Sequence, residues 1–116
     1  MRSVIRYFGT AIISTPLLVS GASAQDAEAG REAFVRFGCY ACHGYEGQGA
    51  NTGPRLAPNP LPYEALSTFV RQTSGDMPPY TPATLSDQEL RNIYAYLESR
   101  AEAPDPDDIP LLRDIQ

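Results

Sequence analysis

The chain has 116 residues, a formal net charge of −5 at pH 7 and no lysine, so its nine basic residues are all arginines. Because binding to phosphate backbones requires a basic surface, this acidic balance argues against nucleic acid as a partner. The length suits one domain, and a domain of this size usually needs a metal, a disulfide or a bound group for stability.

The first 24 residues have the pattern of a secretory signal peptide. Arg2 and Arg6 give a positive start, a mostly apolar stretch covers residues 10–19, and Ala22-Ser23-Ala24 matches an A-x-A cleavage site. The apolar stretch is shorter than the ~20 residues needed to span a bilayer. An uncleaved amphipathic anchor is the alternative. We expect cleavage, which would make residues 1–24 a signal peptide and the mature protein, from Gln25 on, a periplasmic one.

A first helix is predicted over residues 27 to about 37. Asp26 is a suitable N-cap, and Gly38 follows the last turn. Gly30 and Phe34 lie four residues apart and so on one face of the helix. A glycine inside a helix costs ~1 kcal/mol, so we expect another element to pack closely against Gly30.

The most informative motif, Cys39-Tyr40-Ala41-Cys42-His43, follows directly and contains both cysteines and the only histidine. This spacing is typical of covalent c-type haem attachment, in which the thiols bond the haem and the imidazole binds its iron. A structural zinc site, which needs about four ligands, and a thioredoxin-type redox pair, which needs a strand–helix setting, are the alternatives. Haem attachment would leave no cysteine for a disulfide, so the haem-free chain should be largely unfolded.

Residues 44–54 form a loop with four glycines. The loop lacks the G-K-[ST] sequence and the preceding strand of a phosphate-binding cradle. We interpret the glycines as tight turns that allow the backbone to approach a flat ligand closely. A flexible surface loop is the alternative.

Two further helices are predicted, and no strands. The second begins at Leu61-Pro62, with the proline at the first helical position. Ser86 and Glu89 form a capping box before the third. The third then repeats apolar residues at helical spacing: Leu90, Ile93, Tyr94 and Leu97. Since no two runs alternate as paired strands would, we expect an all-α fold.

The end of the chain is rich in proline and acidic residues. We therefore divide the mature chain into a domain over residues 25–101 and a C-terminal tail over residues 102–116. The tail contains apolar residues that would either pack on their own domain or lie in the groove of a partner: Ile109, Leu111, Leu112 and Ile115.

Taken together, these segments resemble the class I mono-haem cytochromes c. The resemblance is carried in the family's order by residues 37–44, 53–56, 75–79 and 93–97, and it covers residues 26 to about 100. It implies the class I cytochrome c-like fold, all-α, with three main helices and long loops around one covalent haem c. It also implies that the terminal helices cross, with Gly30 and Phe34 against Ile93, Tyr96 and Leu97.

The resemblance also implies roles for individual residues. Cys39 and Cys42 would form the thioethers, and His43 would be the proximal iron ligand. The carbonyl of Pro54 would accept the other imidazole N–H, and Met77 would be the distal ligand. The composition agrees with the last role, because Met77 is the only methionine left after signal-peptide cleavage and no second histidine exists.

Histidine–methionine ligation would raise the reduction potential and fill both axial positions of the iron. We therefore expect a periplasmic one-electron carrier rather than an enzyme, either free or as the cytochrome subunit of a periplasmic dehydrogenase. Its donor would be a dehydrogenase or a quinol-oxidising complex, and its acceptor an oxidase or another cytochrome. It would meet the membrane only through these partners. The alternative function is a haem enzyme or gas sensor with an open sixth position, which requires that Met77 does not bind the iron.

Overall fold

The computed structural model describes residues 25–113, so the predicted signal peptide and Ile115 lie outside the described residues. Over that range the chain forms helices and no strand, apart from one isolated bridge between Ala50 and Gly53. The all-α prediction is confirmed. The elements in chain order are α1 (Ala27–Arg36), α2 (Tyr40–His43), α3 (Tyr63–Gln72), α4 (Asp87–Glu98), a 3-10 helix (Pro106–Asp108) and α5 (Pro110–Arg113).

Helix α1 begins and ends as its sequence predicts. The Asp26 carboxylate accepts hydrogen bonds from the backbone N–H groups of Glu28 (2.9 Å) and Ala29 (3.1 Å). After the C-cap residue Phe37, Gly38 has φ +78°, a left-handed conformation that favours glycine. The chain turns there and enters α2 two residues later.

Helices α1 and α4 pack against each other, and at Gly30 the backbone of α1 lies directly against the backbone of α4. A Cβ atom on Gly30 would lie 1.9 Å from the carbonyl oxygen of Asn92. Next to it, the rings of Phe34 and Tyr96 lie 5.6 Å apart. The predicted close packing on Gly30 is confirmed, and the backbone of Asn92 and Ile93 provides it. The buried core consists of Ala33, Phe34, Ala57, Leu66, Leu85, Leu90, Ile93, Tyr96 and Leu97.

The start of α3 differs from the prediction by one residue. Pro62 has ψ 140° and is the N-cap residue, so the first helical residue is Tyr63. The ring of Tyr63 packs edge-on against Tyr94 of α4, with 5.4 Å between centroids, and the guanidinium of Arg91 lies over the Tyr63 ring, 4.5 Å from its centroid. Leu66 is the buried residue of α3.

Helix α4 has the predicted capping box. The Glu89 carboxylate accepts from the backbone N–H of Ser86 (2.9 Å), and the Ser86 hydroxyl accepts from the backbone N–H of Glu89 (3.3 Å). None of the described helices is long and apolar enough to span a lipid bilayer.

The tail has two parts. Residues 101–106 line one side of a groove of about 800 Å³, and the loop before α3 lines the other. Further on, the 3-10 helix and α5 contact each other, Ile109 and Leu112 are half-buried, and Leu111 is 81% exposed. The beginning of the tail thus lies along its own domain, whereas Leu111 remains on the surface.

Candidate functional site

The Cys-x-x-Cys-His motif forms the short helix α2. Its histidine, His43, is only 8% exposed, and its Nδ1 lies 2.8 Å from the carbonyl oxygen of Pro54. Because a carbonyl can only accept, Nδ1 carries the proton and donates it to this bond, which leaves a lone pair on Nε2. Within residues 25–113, Nε2 makes no hydrogen bond. The ring is therefore held in the one tautomer that can bind a metal through Nε2.

Pro54 is held in place by a tightly bonded loop, residues 44–58, which we call the Pro54 loop. Its backbone folds back on itself, since the N–H groups of Leu56 (2.7 Å) and Ala57 (2.9 Å) both donate to the carbonyl of Gly47. It is also bonded to the motif, because the N–H of Gly49 donates to the carbonyl of His43 (2.8 Å). These bonds favour a fixed loop over the flexible-loop alternative.

The glycines of this loop form tight turns, as predicted, since Gly47 and Gly49 have φ values of +69° and +89°. Their close approach to a flat ligand stays a prediction, and two of them also lie against other parts of the protein. A Cβ atom on Gly53 would lie 2.6 Å from the carbonyl oxygen of Cys42, and one on Gly49 would lie 2.9 Å from the backbone nitrogen of Arg55. Gly53 thus allows the loop to lie directly on the motif, and Gly49 allows it to pack against its own later residues.

Two side chains bond the Pro54 loop to the end of α4. One, Tyr96, lies in the helix, and the other, Arg100, follows it. The buried hydroxyl of Tyr96 donates to the carbonyl of Tyr45 (2.7 Å). Arg100 pairs with Glu46 at 2.7 Å and lies over the ring of Tyr96, 4.5 Å from its centroid. The family resemblance placed Tyr96 only at the crossing of the terminal helices, because a helical pattern does not indicate where a hydroxyl group points.

The thiols do not resemble those of a redox-active pair. Cys39 is half-buried and Cys42 is exposed, and both are free. Burial raises the pKa of the Cys39 thiol to about 11. Catalytic Cys-x-x-Cys pairs have a lowered thiol pKa instead. The zinc alternative has no ligand set within residues 25–113, where no three His, Cys, Asp or Glu side chains cluster as a metal site.

Met77 lies half-buried in the segment between α3 and α4, residues 73–86, which we call the Met77 loop. The loop is linked to the motif through Tyr80, three residues after Met77. The Tyr80 hydroxyl donates to the carbonyl of Phe37 (2.8 Å), and Phe37 lies two residues before Cys39. The structure thus brings His43 and Pro54 into direct contact and connects the Met77 loop to the start of the motif.

Tyr80 itself is poorly suited to bind a metal. Its hydroxyl proton is already donated to Phe37, and burial, followed by the nearby thiols of Cys39 and Cys42, raises the pKa of the Tyr80 phenol above 10.0. A tyrosine that ligates haem iron does so as the phenolate. The phenol of Tyr80 therefore acts as a structural donor.

The residues around the motif fit a covalently bound haem. Two free thiols at the attachment spacing lie next to a buried imidazole with a free Nε2. Large apolar side chains just before and within α3 also remain exposed, with Leu61 62% and Phe69 57% exposed. A flat apolar group would bury such surface at ~25 cal/mol per Å². The groove along the tail does not take part, since none of the predicted site residues lines it.

Comparison with known proteins agrees with this assignment. Residues 25–97, well over half of the chain, match the family model described as cytochrome c oxidase, cbb3-type, subunit III. No curated protein and no solved structure shows significant similarity to the chain. The matched range includes Cys39, Cys42, His43, Pro54 and Met77 and ends before the tail. The chain therefore belongs to this family of mono-haem c-type cytochromes, electron-transfer proteins, and it carries one covalent haem c on Cys39 and Cys42.

Proposed function

We propose that the protein is an exported one-electron carrier whose haem iron is bound by His43 and Met77. Membership of the c-type cytochromes gives electron transfer and the covalent haem. The ligand pair, the location and the partners are the proposal. The observation that carries it is the fixed tautomer of His43, whose Nδ1 donates to Pro54 at 2.8 Å while Nε2 stays free.

The haem, when bound, supplies an iron that alternates between the ferrous and ferric states. The chain's part is to hold the ligands still. The Pro54 carbonyl orients the His43 ring and makes it a stronger donor, as bonds to the outer nitrogen of a ligating histidine do. The soft, neutral thioether of Met77 favours ferrous iron and so raises the reduction potential. With His43 and Met77 both holding the iron, electron transfer would require little movement of the protein.

We further propose the class I cytochrome c-like arrangement, with three main helices and long loops around the haem. The packing of α1 on α4 and of α3 on α4 supports it. The family match ends at residue 97, close to the proposed boundary between a domain over residues 25–101 and the tail over 102–116. The sequence of residues 1–24 supports export to the periplasm through a cleaved signal peptide.

The partners we propose are redox proteins. The description of the family model names subunit III of an oxidase, which favours an oxidase as electron acceptor or as the complex in which this chain works. The donor would be a periplasmic dehydrogenase or a quinol-oxidising complex. The acidic net charge of −5 suits docking on a basic protein surface.

The test uses the purified holoprotein and its Met77→Ala variant. The native protein should show the weak long-wavelength absorption of sulfur bound to ferric iron, and its ferrous form should not bind carbon monoxide at neutral pH. The variant should lose the absorption, bind carbon monoxide and have a lower potential. Gly75→Ala is the control, because a Cβ atom there meets nothing within 4 Å.

Two results would overturn the proposal. One is a Met77→Ala protein whose spectrum and potential equal those of the native protein. The other is carbon monoxide binding by the native protein at neutral pH, which would instead support the haem enzyme or gas sensor with an open sixth position.

A further inference from the structure

We propose that Arg71 is a positioning residue that keeps Met77 at the iron by fastening the loop that carries it. This inference rests on the proposed ligation by Met77 and adds how the ligand is held. Arg71 lies in the last turn of α3, six residues before Met77, and its side chain is only 13% exposed.

The guanidinium of Arg71 bonds three points further along the chain. Its Nη1 donates to the carbonyl of Tyr80 (2.8 Å) and to the carbonyl of Leu85 (2.7 Å). Its Nη2 donates to the carboxylate of Asp87 (2.7 Å), the first residue of α4. One side chain thus ties the middle of the Met77 loop, the end of that loop and the start of the next helix to the end of α3.

The Met77 loop depends on these hydrogen bonds because the backbone of its central part makes none among the described residues. Within the described chain, residues 74–79 make no backbone–backbone hydrogen bond. The backbone is bonded again only at Tyr80, whose N–H donates to the carbonyl of Val70 (2.9 Å). The position of Met77 is therefore set by what holds Tyr80, three residues later, and Arg71 bonds the carbonyl of that same residue.

Tyr80 also connects the Met77 loop to the residues just before Cys39. Its hydroxyl donates to the carbonyl of Phe37 (2.8 Å), and the two rings pack edge-on with centroids 6.4 Å apart. Arg71 and Tyr80 together form a bridge from α3 across the Met77 loop to the residues just before Cys39.

The chemistry of the bridge requires arginine. The guanidinium is a planar fork with five N–H donors, so it can serve two carbonyls and one carboxylate at once. A lysine would keep the charge but, as a compact ammonium group, would not reach all three acceptors. Hydrogen bonds from a charged donor are also stronger than neutral ones. Losing them should release the loop, and with it Met77, in a measurable fraction of molecules.

The test compares the holoproteins of the native chain, Arg71→Gln and Arg71→Lys. Arg31→Gln is the matched control, because Arg31 is an exposed arginine of α1 whose ion pair with Glu28 spans 3.9 Å. The probes are carbon monoxide added to the ferrous form and the sulfur-to-iron absorption of the ferric form. Helix content by circular dichroism reports whether each variant is folded.

We expect the native protein and the control Arg31→Gln both to resist carbon monoxide. Arg71→Gln should stay helical, lose part of the sulfur absorption and bind carbon monoxide about tenfold more readily than Arg31→Gln. The carbon monoxide binding of Arg71→Lys should lie between that of Arg71→Gln and that of Arg31→Gln. A helical Arg71→Gln protein with the carbon monoxide binding and absorption of Arg31→Gln would overturn the inference.

Failure of the underlying ligation has a different signature. If Met77 is not a ligand, the native protein itself lacks the sulfur absorption and binds carbon monoxide. If Arg71→Gln does not accumulate as folded holoprotein, Arg71→Lys decides by the same criterion: binding above that of Arg31→Gln supports the inference, and equal binding overturns it.

Discussion

The two loops that face the functional motif are held in different ways. The Pro54 loop is bonded backbone to backbone, with two N–H groups on the carbonyl of Gly47 and with Gly53 lying against the carbonyl of Cys42. The Met77 loop has no backbone–backbone bonds over residues 74–79. Beyond them it is held by the bond from the Tyr80 N–H to the Val70 carbonyl and by the side chains of Arg71 and Tyr80.

The two loops should therefore tolerate different substitutions. A loop fixed by close backbone contact is sensitive to one added carbon atom and insensitive to most exposed side chains. A loop held largely by two side chains tolerates an added carbon atom, but it should become more mobile when either side chain is lost. We therefore expect the Pro54 loop to keep His43 in place in most variants, and the Met77 loop to release Met77 more readily.

The largest effect should come from removing the covalent haem c. The Cys39→Ala/Cys42→Ala double variant cannot attach haem, and the remaining core is small for a stable domain. We expect it to lose the cooperative thermal transition that the holoprotein shows by circular dichroism. A cooperative transition in the double variant would show that the two loops and helices fold without the haem.

A pair of glycine substitutions tests the comparison directly. In Gly53→Ala the new Cβ atom would lie 2.6 Å from the carbonyl oxygen of Cys42, a backbone atom that cannot easily move. We expect a loss of about 2 kcal/mol in the free energy of unfolding of the holoprotein. Gly75→Ala, in the Met77 loop, meets nothing within 4 Å and should change stability by less than about 0.5 kcal/mol. Equal losses in denaturant titrations would contradict the proposed difference between the loops.

Two tyrosine hydroxyls provide a second matched pair with smaller effects. Tyr96→Phe removes the donor to Tyr45 in the Pro54 loop, and Tyr80→Phe removes the donor to Phe37 beside the Met77 loop. Each should cost about 1 kcal/mol of unfolding free energy, since a carbonyl is left without its partner. Only Tyr80→Phe should also increase carbon monoxide binding. An increase in both variants, or in neither, would mean that the two loops respond alike.

The smallest effect concerns pH and the end of the Met77 loop. Hydrogen bonds from the Ser86 hydroxyl and backbone N–H, followed by the charge of Arg36, hold the pKa of Glu89 below its ordinary value of 4.5. A lowered carboxyl pKa gives stability that is present above about pH 4.5 and is lost as the pH falls through the lower folded-state value. Between pH 6 and pH 3, the thermal midpoint of the native protein should therefore fall more than that of Glu89→Gln. Parallel pH profiles for the two proteins would contradict this.

The sequence was most informative where a few neighbouring residues decide the structure. The N-cap at Asp26 and the capping box of Ser86 and Glu89 depend on groups within one helical turn, and both form as predicted. The all-α class and the close packing on Gly30 also follow from local patterns. The contact between His43 and Pro54, which the family resemblance implied, is present in the structure, while their roles at the iron stay predictions.

The ties between distant residues were not predicted. Tyr80 and Phe37 lie 43 positions apart, and Tyr96 and Tyr45 lie 51 apart. No spacing rule connects a hydroxyl to a carbonyl over such distances, because only the packed helices bring them together. For a related reason, the glycines of the Pro54 loop indicated tight turns and a close approach of the backbone, but not that Gly53 lies against the carbonyl of Cys42.

The sparse bonding of residues 74–79 has an evolutionary consequence. If Met77 binds the iron as proposed, a gas-responsive descendant could arise without loss of the methionine itself. Substitution of Arg71 in the preceding helix would then be enough, and its reversion would restore the six-coordinate iron.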